Sequence, residues 1–235
     1  MISHIGRALA GRSPGQILRL AAKTAAHHLK SWSPSARGAV RADRAFDARW
    51  GTDTSAEMTM SRLDYPPELR RLSHHYQASG PHLLDIAVAC AGIDPADFVF
   101  IDYGCGKGRV ALLALQRFAR SIGVEYSPIL IAIAERNAAQ FVARGGAARH
   151  PSFWQGNAAD YAPPPDGHLF CYLYNSFGAE ILSGCLDRLE AAKATLPARR
   201  IMLAYVDPRH AALVTARERW EVRGEAAGLM IFELG

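Results

Sequence analysis

Residues 98–110 read FVFIDYGCGKGRV, and two residue types in that string carry chemistry. Gly104, Gly106 and Gly108 remove side chains where the backbone must turn sharply and let a ligand touch it. Asp102 sets a carboxylate just before the turn. Glu125, 17 residues past Gly108, closes a second short apolar run that begins at Ile122. In doubly wound folds an acid at the end of the second strand offers two acceptor oxygens to the cis-diol of a ribose. The chemistry is that of holding a nucleoside-bearing cofactor at a strand-to-helix turn.

Spacing separates two kinds of cofactor. A dinucleotide fingerprint, G-x-G-x-x-G, would place its third glycine at 109. That position is Arg109, and the third glycine comes one residue early, giving Asp102-x-Gly104-x-Gly106-x-Gly108. An NAD-type oxidoreductase is disfavoured on that count. The acidic-x-G-x-G-x-G pattern resembles the first motif of class I S-adenosylmethionine (SAM) dependent methyltransferases. The strings DYGCGKGRV, GVEYSP and YLYNSFG are similar to a bacterial subfamily of that class whose substrate is unassigned. So is the lead-in Phe46-Asp47-x-Arg49-Trp50-Gly51-Thr52-Asp53-Thr54, with Tyr65-Pro66-Pro67 downstream. The likeness spans roughly residues 46–235 and is strongest over 98–127.

This resemblance implies a Rossmann-like α/β fold, a seven-stranded, mostly parallel sheet with an antiparallel last strand, preceded by an N-terminal helical extension. It implies that Asp102, Gly104, Cys105, Gly106 and Gly108 hold the methionine end of SAM, that Glu125 grips the ribose, and that Asn157 with Ala158 frames the adenine. The family often has G-D-A at that third site; Asn157 replaces the acid here, and its amide oxygen can still accept from the adenine amine. Amino-methylating relatives carry N-P-P-Y or N-P-F at the tip of the fourth strand, which places Asn175 at the methyl acceptor, with Ser176 where a proline is usual. Tyr174 and Tyr65 complete the catalytic candidates. A base, where the acceptor needs one, would be Tyr65, Tyr174 or His168. The lead-in either folds over the SAM pocket, Asp53 and Tyr65 supplying polar contacts, or is a strap packed by Phe46 and Trp50. The expected reaction is in-line displacement of a methyl group by an oxygen or nitrogen nucleophile of an unidentified acceptor. A second class of function stays open, a catalytically silent SAM-fold module acting through its basic N-terminal helix.

The elements that must position these residues alternate strand with helix. Phe98–Ile101 is a continuous apolar run, as in a parallel strand buried on both faces, and Val110–Leu115 begins a helix. Ser127 and Pro128 supply the N-cap and first residue of a helix that ends at Gly145-Gly146. Strands are expected over 152–155, within 168–174 and over 200–206, with helices over 179–194 and 208–216. Two closing strands fall near 220–223 and 229–234, joined by a hairpin connection over 224–228. The chain thus reads as a basic helical extension (1–45), a lead-in with helices covering the cofactor pocket (46–95) and a SAM-binding domain (96–235).

Composition narrows the partners. With 49% hydrophobic and 21% charged residues in 235, one ordinary domain plus an extension is expected. Cys90, Cys105, Cys171 and Cys185 show no C-x-x-C spacing and the nine histidines no H-x-x-x-H, so reduced thiols and no metal are expected. The first 44 residues carry +7 while the whole chain carries +5, which leaves −2 on residues 45–235 and no basic nucleic-acid clamp there. Between residues 12 and 32, Arg19, Lys23, His27 and Lys30 fall on one helical face and Leu18, Ala22, Ala25, Leu29 and Trp32 on the other. Such a helix could rest on an anionic surface, engage an acidic partner or pack on its own domain. No apolar run reaches the ~20 residues that span a bilayer, so a cytoplasmic protein is expected.

Overall fold

The structure, a computed structural model, describes residues 34–56, 58 and 81–235. Tyr65 and the helix expected over 12–32 lie outside the described residues. Residues 1–42 and 43–235 form two compact units, and every described residue of the candidate site belongs to the second.

That unit is built on seven strands: β1 (Phe98–Tyr103), β2 (Arg120–Glu125), β3 (Ser152–Gln155), β4 (His168–Tyr174), β5 (Ile201–Val206), β6 (Trp220–Ala226) and β7 (Leu229–Leu234). Their order is β3-β2-β1-β4-β5-β7-β6. β1 to β5 pair in parallel, and β7 inserts antiparallel between β5 and β6. The strand order reverses between β1 and β4, and ligands of open α/β sheets bind outside the carboxyl ends at such a point.

Among the described residues the helices are α1 (Pro34–Trp50), α2 (Pro81–Ala91), α3 (Arg109–Ala114), α4 (Pro128–Ala143), α5 (Ala179–Thr195) and α6 (Ala211–Thr215). Alternation along β1 sends Val99, Ile101 and Tyr103 into a core shared with Ile181, Leu182 and Leu186 of α5. Phe98 and Phe100 point into a second core with Leu84, Ala87 and Val88 of α2. All six residues of β1 are buried, which explains why it reads as an unbroken apolar run rather than an alternating one.

Helix ends follow the sequence signals. Ser127 Oγ accepts from Leu130 N (3.3 Å), with Pro128 behind it. At the other end Gly145 N donates to Val142 O (2.9 Å) and Gly146 N to Phe141 O (2.9 Å), a Schellman closure in which Gly145 takes φ +79°. The last hairpin differs from expectation. β6 continues through Gly224 to Ala226, and the turn is only Ala227-Gly228, both at positive φ. Gly224 marks a bulge in the β6–β7 register, and a Cβ there would lie 2.6 Å from Cys90 Sγ. The glycine serves close packing of α2 on the sheet rather than a loop. α3 coincides with the apolar run Val110–Leu115 to within one residue at each end.

Candidate functional site

The glycine turn hangs from the end of β2. Gly104 N and Cys105 N both donate to Val124 O (2.8 and 3.0 Å), and Gly108 N closes back on Cys105 O (2.9 Å). Gly104, Gly106 and Gly108 take φ of +78°, +55° and +84°, a region that L side chains rarely adopt. A Cβ on Gly104 would lie 2.4 Å from Ser176 Cβ, so the tip of β4 rests directly on the first glycine. Cys105 fills space: a Cβ on Gly123 would meet its sulfur at 2.6 Å. Burial, then the nearby charges of Asp102 and Glu125, push this thiol well above its ordinary pKa.

Two acids flank the turn. Glu125 is buried, its Oε2 accepting from Gly106 N (3.1 Å) and its Oε1 from Ser127 N (2.9 Å). It therefore joins the turn to the start of α4. Asp102 is buried too, and desolvation, then the charge of Glu125, push its carboxyl up to about 8 from an ordinary 3.8. A cation brought beside it would restore the ionised form.

The two basic residues of the turn face elsewhere. Lys107 Nζ donates to Asp53 Oδ1 and Oδ2 (3.1 and 3.2 Å) and to Ala56 O (2.8 Å). Arg109, 2% exposed, donates from Nε to Thr54 Oγ1 (2.7 Å), from Nη1 to the Asp43 carboxylate and from Nη2 to Asp43 O (3.0 Å). Its guanidinium also stacks 4.8 Å from the Phe46 ring centre. Asp47 gathers the lead-in by accepting from Thr52 Oγ1, Thr54 N, Thr54 Oγ1 and Ser55 N at 2.7–2.9 Å. Burial opposes its charge, but the bonds from Ser55, Thr52 and Thr54 outweigh that and hold its carboxyl below the ordinary value. Asn137 of α4 locks the arrangement, accepting from Asp53 N (2.8 Å) and donating to Lys107 O (3.0 Å). Phe46 stacks on Phe141, and Trp50 meets the same ring at a tilt. The lead-in is thus a strap bolted to the glycine turn, with Asp53 engaged by Lys107.

At the third strand, Asn157 Oδ1 caps a one-turn helix by accepting from Ala159 N (3.2 Å), and Ala158 packs into the core beneath. Gly156 N donates to Glu125 O (3.0 Å), which brings this loop beside the second acid. Asp160 is exposed.

The tips of β4 and β5 form the other wall. Asn175, at φ +40°, donates from Nδ2 to Asp207 Oδ2 (3.2 Å), and Asp207 stands at φ +47°. Ser176 Oγ donates to Tyr103 O (3.1 Å), holding this tip against β1. Tyr174 is half-buried, and burial, then the charge of Asp207, raise its hydroxyl pKa, so it keeps its proton. His168 is not a base for this site. It begins β4, a strand-length of roughly 20 Å from the carboxyl end, where its Nδ1 accepts from Arg200 N (3.0 Å). Sequence reasoning missed Asp207, which follows β5 without any motif around it.

Residues 101–196 match the family described as a methyltransferase domain. This part of the chain is a class I, SAM-dependent methyltransferase domain. Among solved structures, the methyltransferase domain resembles magnesium protoporphyrin IX methyltransferase from Synechocystis PCC 6803 with bound SAM (20% identity, 65% of this chain and 78% of that one, TM-score 0.41). It also resembles a precorrin-6y C5,15-methyltransferase from Geobacter metallireducens (14% identity, 78% and 100%, TM-score 0.47). A third is an RNA methyltransferase from Salinibacter ruber in complex with S-adenosyl-L-homocysteine (20% identity, 68% and 92%, TM-score 0.39). No curated protein matches the sequence. Among the described residues no helix of the methyltransferase is long and apolar enough to cross a membrane, and no cluster of three or more His, Cys, Asp or Glu side chains is placed to hold a metal ion.

Proposed function

We propose that the domain transfers a methyl group from SAM to an amine or hydroxyl of an acceptor seated at the tips of β4 and β5. One observation carries the choice of cofactor: burial, then the charge of neighbouring Glu125, oppose ionisation of Asp102, while both basic residues of the turn are taken by the strap. A diphosphate would meet Asp102 and Glu125 and gain nothing from Lys107 or Arg109. A ligand with net positive charge offsets the acid pair, and SAM, bearing a sulfonium and an ammonium, is such a ligand.

In this reading Asp102 and the turn from Gly104 through Cys105 and Gly106 to Gly108 receive the methionine end. Glu125, held by Gly106 and Ser127, receives the ribose, a carboxylate oxygen being able to accept more than one donor. Asn157 and Ala158 border the adenine, with the Asn157 amide oxygen already engaged as a cap. SAM supplies an activated methyl on a leaving group that needs no acid assistance. What remains for the chain is alignment and exclusion of water, and alignment alone can be worth about 7–11 kcal/mol of a bimolecular barrier. Asn175 and Tyr174 stand at the acceptor, with Tyr174 as a hydroxyl donor. Residues 96–235 are the catalytic domain, 46–95 its cover and 1–45 a basic extension, in a protein of the cytoplasm.

Calorimetric titration with SAM, S-adenosylhomocysteine and NADH tests the reading. Micromolar binding of the first two and none of NADH is expected; NADH binding without SAM binding ends it.

A further inference from the structure

Asn175 and Asp207 are the first residues after adjacent parallel strands, β4 and β5, which pair up to Tyr174 and Val206. Both take left-handed backbone conformations without being glycine. Such conformations cost free energy and collect at functional sites, where surrounding structure holds them. Asp207 is held from three sides: its N donates to Gly228 O (2.9 Å), its O accepts from Arg209 N (2.8 Å), and its Oδ2 accepts from Arg209 Nε (2.9 Å).

The same Oδ2 accepts from Asn175 Nδ2. A carboxylate only accepts, so the Asn175 amide must present its nitrogen to Asp207 and its oxygen the other way. That oxygen, Oδ1, is buried and has no hydrogen-bond partner, although Asn175 is only 5% exposed. A buried amide oxygen held without a donor is a destabilising feature unless a donor arrives from a ligand.

We propose that Asp207 is a positioning residue which fixes the Asn175 amide so that Oδ1 receives the N–H or O–H of the methyl acceptor, and that the acceptor class is therefore amines and hydroxyls, with carboxylates excluded. This rests on the methyltransferase reading above. A carboxylate acceptor carries no hydrogen at neutral pH and would confront both Oδ1 and the Asp207 charge. An amine or hydroxyl donates to Oδ1 and keeps a lone pair for the methyl carbon. As the new C–N or C–O bond forms, the carbon–sulfur bond breaks, sulfur retains the pair, and the acceptor's proton leaves to water. Arg209, whose Nε donates to the same Oδ2, holds that carboxylate in place.

The test first measures SAM binding by calorimetry; absence of binding removes the methyltransferase reading itself. With binding in hand, SAM labelled with tritium in the methyl group is incubated with lysate of cells that make the protein. The label should enter an alkali-stable product, since carboxyl methyl esters release methanol in alkali and N-methyl and ether bonds do not. Asp207→Ala should lower the initial rate at least tenfold with SAM affinity within twofold of wild type. Asp207→Asn, whose amide oxygen can still accept from Asn175, should recover at least a third of the rate. In SAM-free, ¹⁵N-labelled protein the Asn175 side-chain amide protons, assigned by their loss in Asn175→Ala, should exchange with water about tenfold faster in Asp207→Ala and near the wild-type rate in Asp207→Asn. Alkali-labile label, no label above boiled enzyme, or an Asp207→Ala variant at the wild-type rate overturns the proposal. So does an Asp207→Asn variant as slow as Asp207→Ala, which would make the carboxylate a base instead.

Discussion

Gly106 donates its backbone N–H to the Glu125 carboxylate at 3.1 Å, so the glycine turn and the acid that ends β2 are one mechanical piece. The second oxygen of that carboxylate accepts from the backbone N of Ser127, the residue whose Oγ caps the next helix. Shape of the turn, start of α4 and position of the Glu125 carboxylate are therefore set together.

Replacing Glu125 should thus cost more than one ligand contact. In Glu125→Gln one of the two acceptor oxygens becomes a donor, so either Gly106 N or Ser127 N loses its partner. Hydrogen bonds to charged groups contribute about 1.5–3 kcal/mol each. SAM affinity should fall about 10- to 100-fold by calorimetry, since each 1.4 kcal/mol is tenfold. The thermal midpoint should fall as well, because Ser127 N is lost to the helix even without ligand. Unchanged SAM affinity would remove Glu125 from the site.

Asp102 makes a prediction in pH. Its folded carboxyl titrates near 8 against an ordinary 3.8, so the unfolded chain gives up this proton first. The contribution is fully present below about pH 4 and is lost as pH rises toward 8. Asp102→Asn removes that loss. Relative to wild type, its stability in urea should match at pH 4 and rise progressively up to pH 8. SAM affinity should move the other way. A cationic ligand favours ionised Asp102, so wild type should bind SAM more tightly from pH 6 to pH 8 and release a proton on binding, while Asp102→Asn should bind more weakly with a flatter profile. Calorimetry in buffers of different ionisation enthalpy counts the proton.

Arg109 should matter more than Lys107 for holding the strap. Both side chains are almost fully buried, but Arg109 engages Thr54 and the largely buried Asp43 and Asp47 carboxylates (20% and 14% exposed), whereas the Asp53 partner of Lys107 is 60% exposed. Removing one partner of a buried pair typically costs about 3–5 kcal/mol, whereas exposed pairs contribute about 0–1 kcal/mol. Arg109→Leu should lose about 3 kcal/mol in urea unfolding and expose residues 47–56 to protease; Lys107→Met should lose far less. Arg109→Lys should not rescue, because a single ammonium cannot serve the three directions the guanidinium fork does.

The order of elements was legible because each strand of the sheet centre is an apolar run and α4 carries its own cap and stop. The cofactor turn was legible for the same reason, its glycines, its acid and the second acid all lying within 24 residues. Two features escaped. The roles of Lys107 and Arg109 depend on Asp43, Asp47 and Asp53, more than 50 residues upstream, and no local spacing reports such a pairing. Asp207 reaches Asn175 only because β4 and β5 are neighbours in the sheet; 32 residues separate the two in sequence. Gly224 was misread for a related reason: a glycine that relieves contact with Cys90 on a distant helix looks, in sequence, like a glycine that makes a turn.

Gly104 gives the last prediction, which separates two demands made on one residue. Its φ of +78° disfavours any side chain, and a Cβ would also lie 2.4 Å from Ser176 Cβ and 2.5 Å from Ser176 Oγ. Gly104→Ala should therefore lose both stability and SAM binding. Part of the loss is steric, so Ser176→Gly in the same chain should restore that part by vacating the space. The remainder comes from backbone strain, of order 1–3 kcal/mol for a residue forced into a sparsely populated region, and nothing at 176 can relieve it. Thermal midpoints of the two single variants and the double variant should thus be non-additive, with the double variant above Gly104→Ala and below Ser176→Gly. Additive losses would mean that the tip of β4 does not rest on the first glycine.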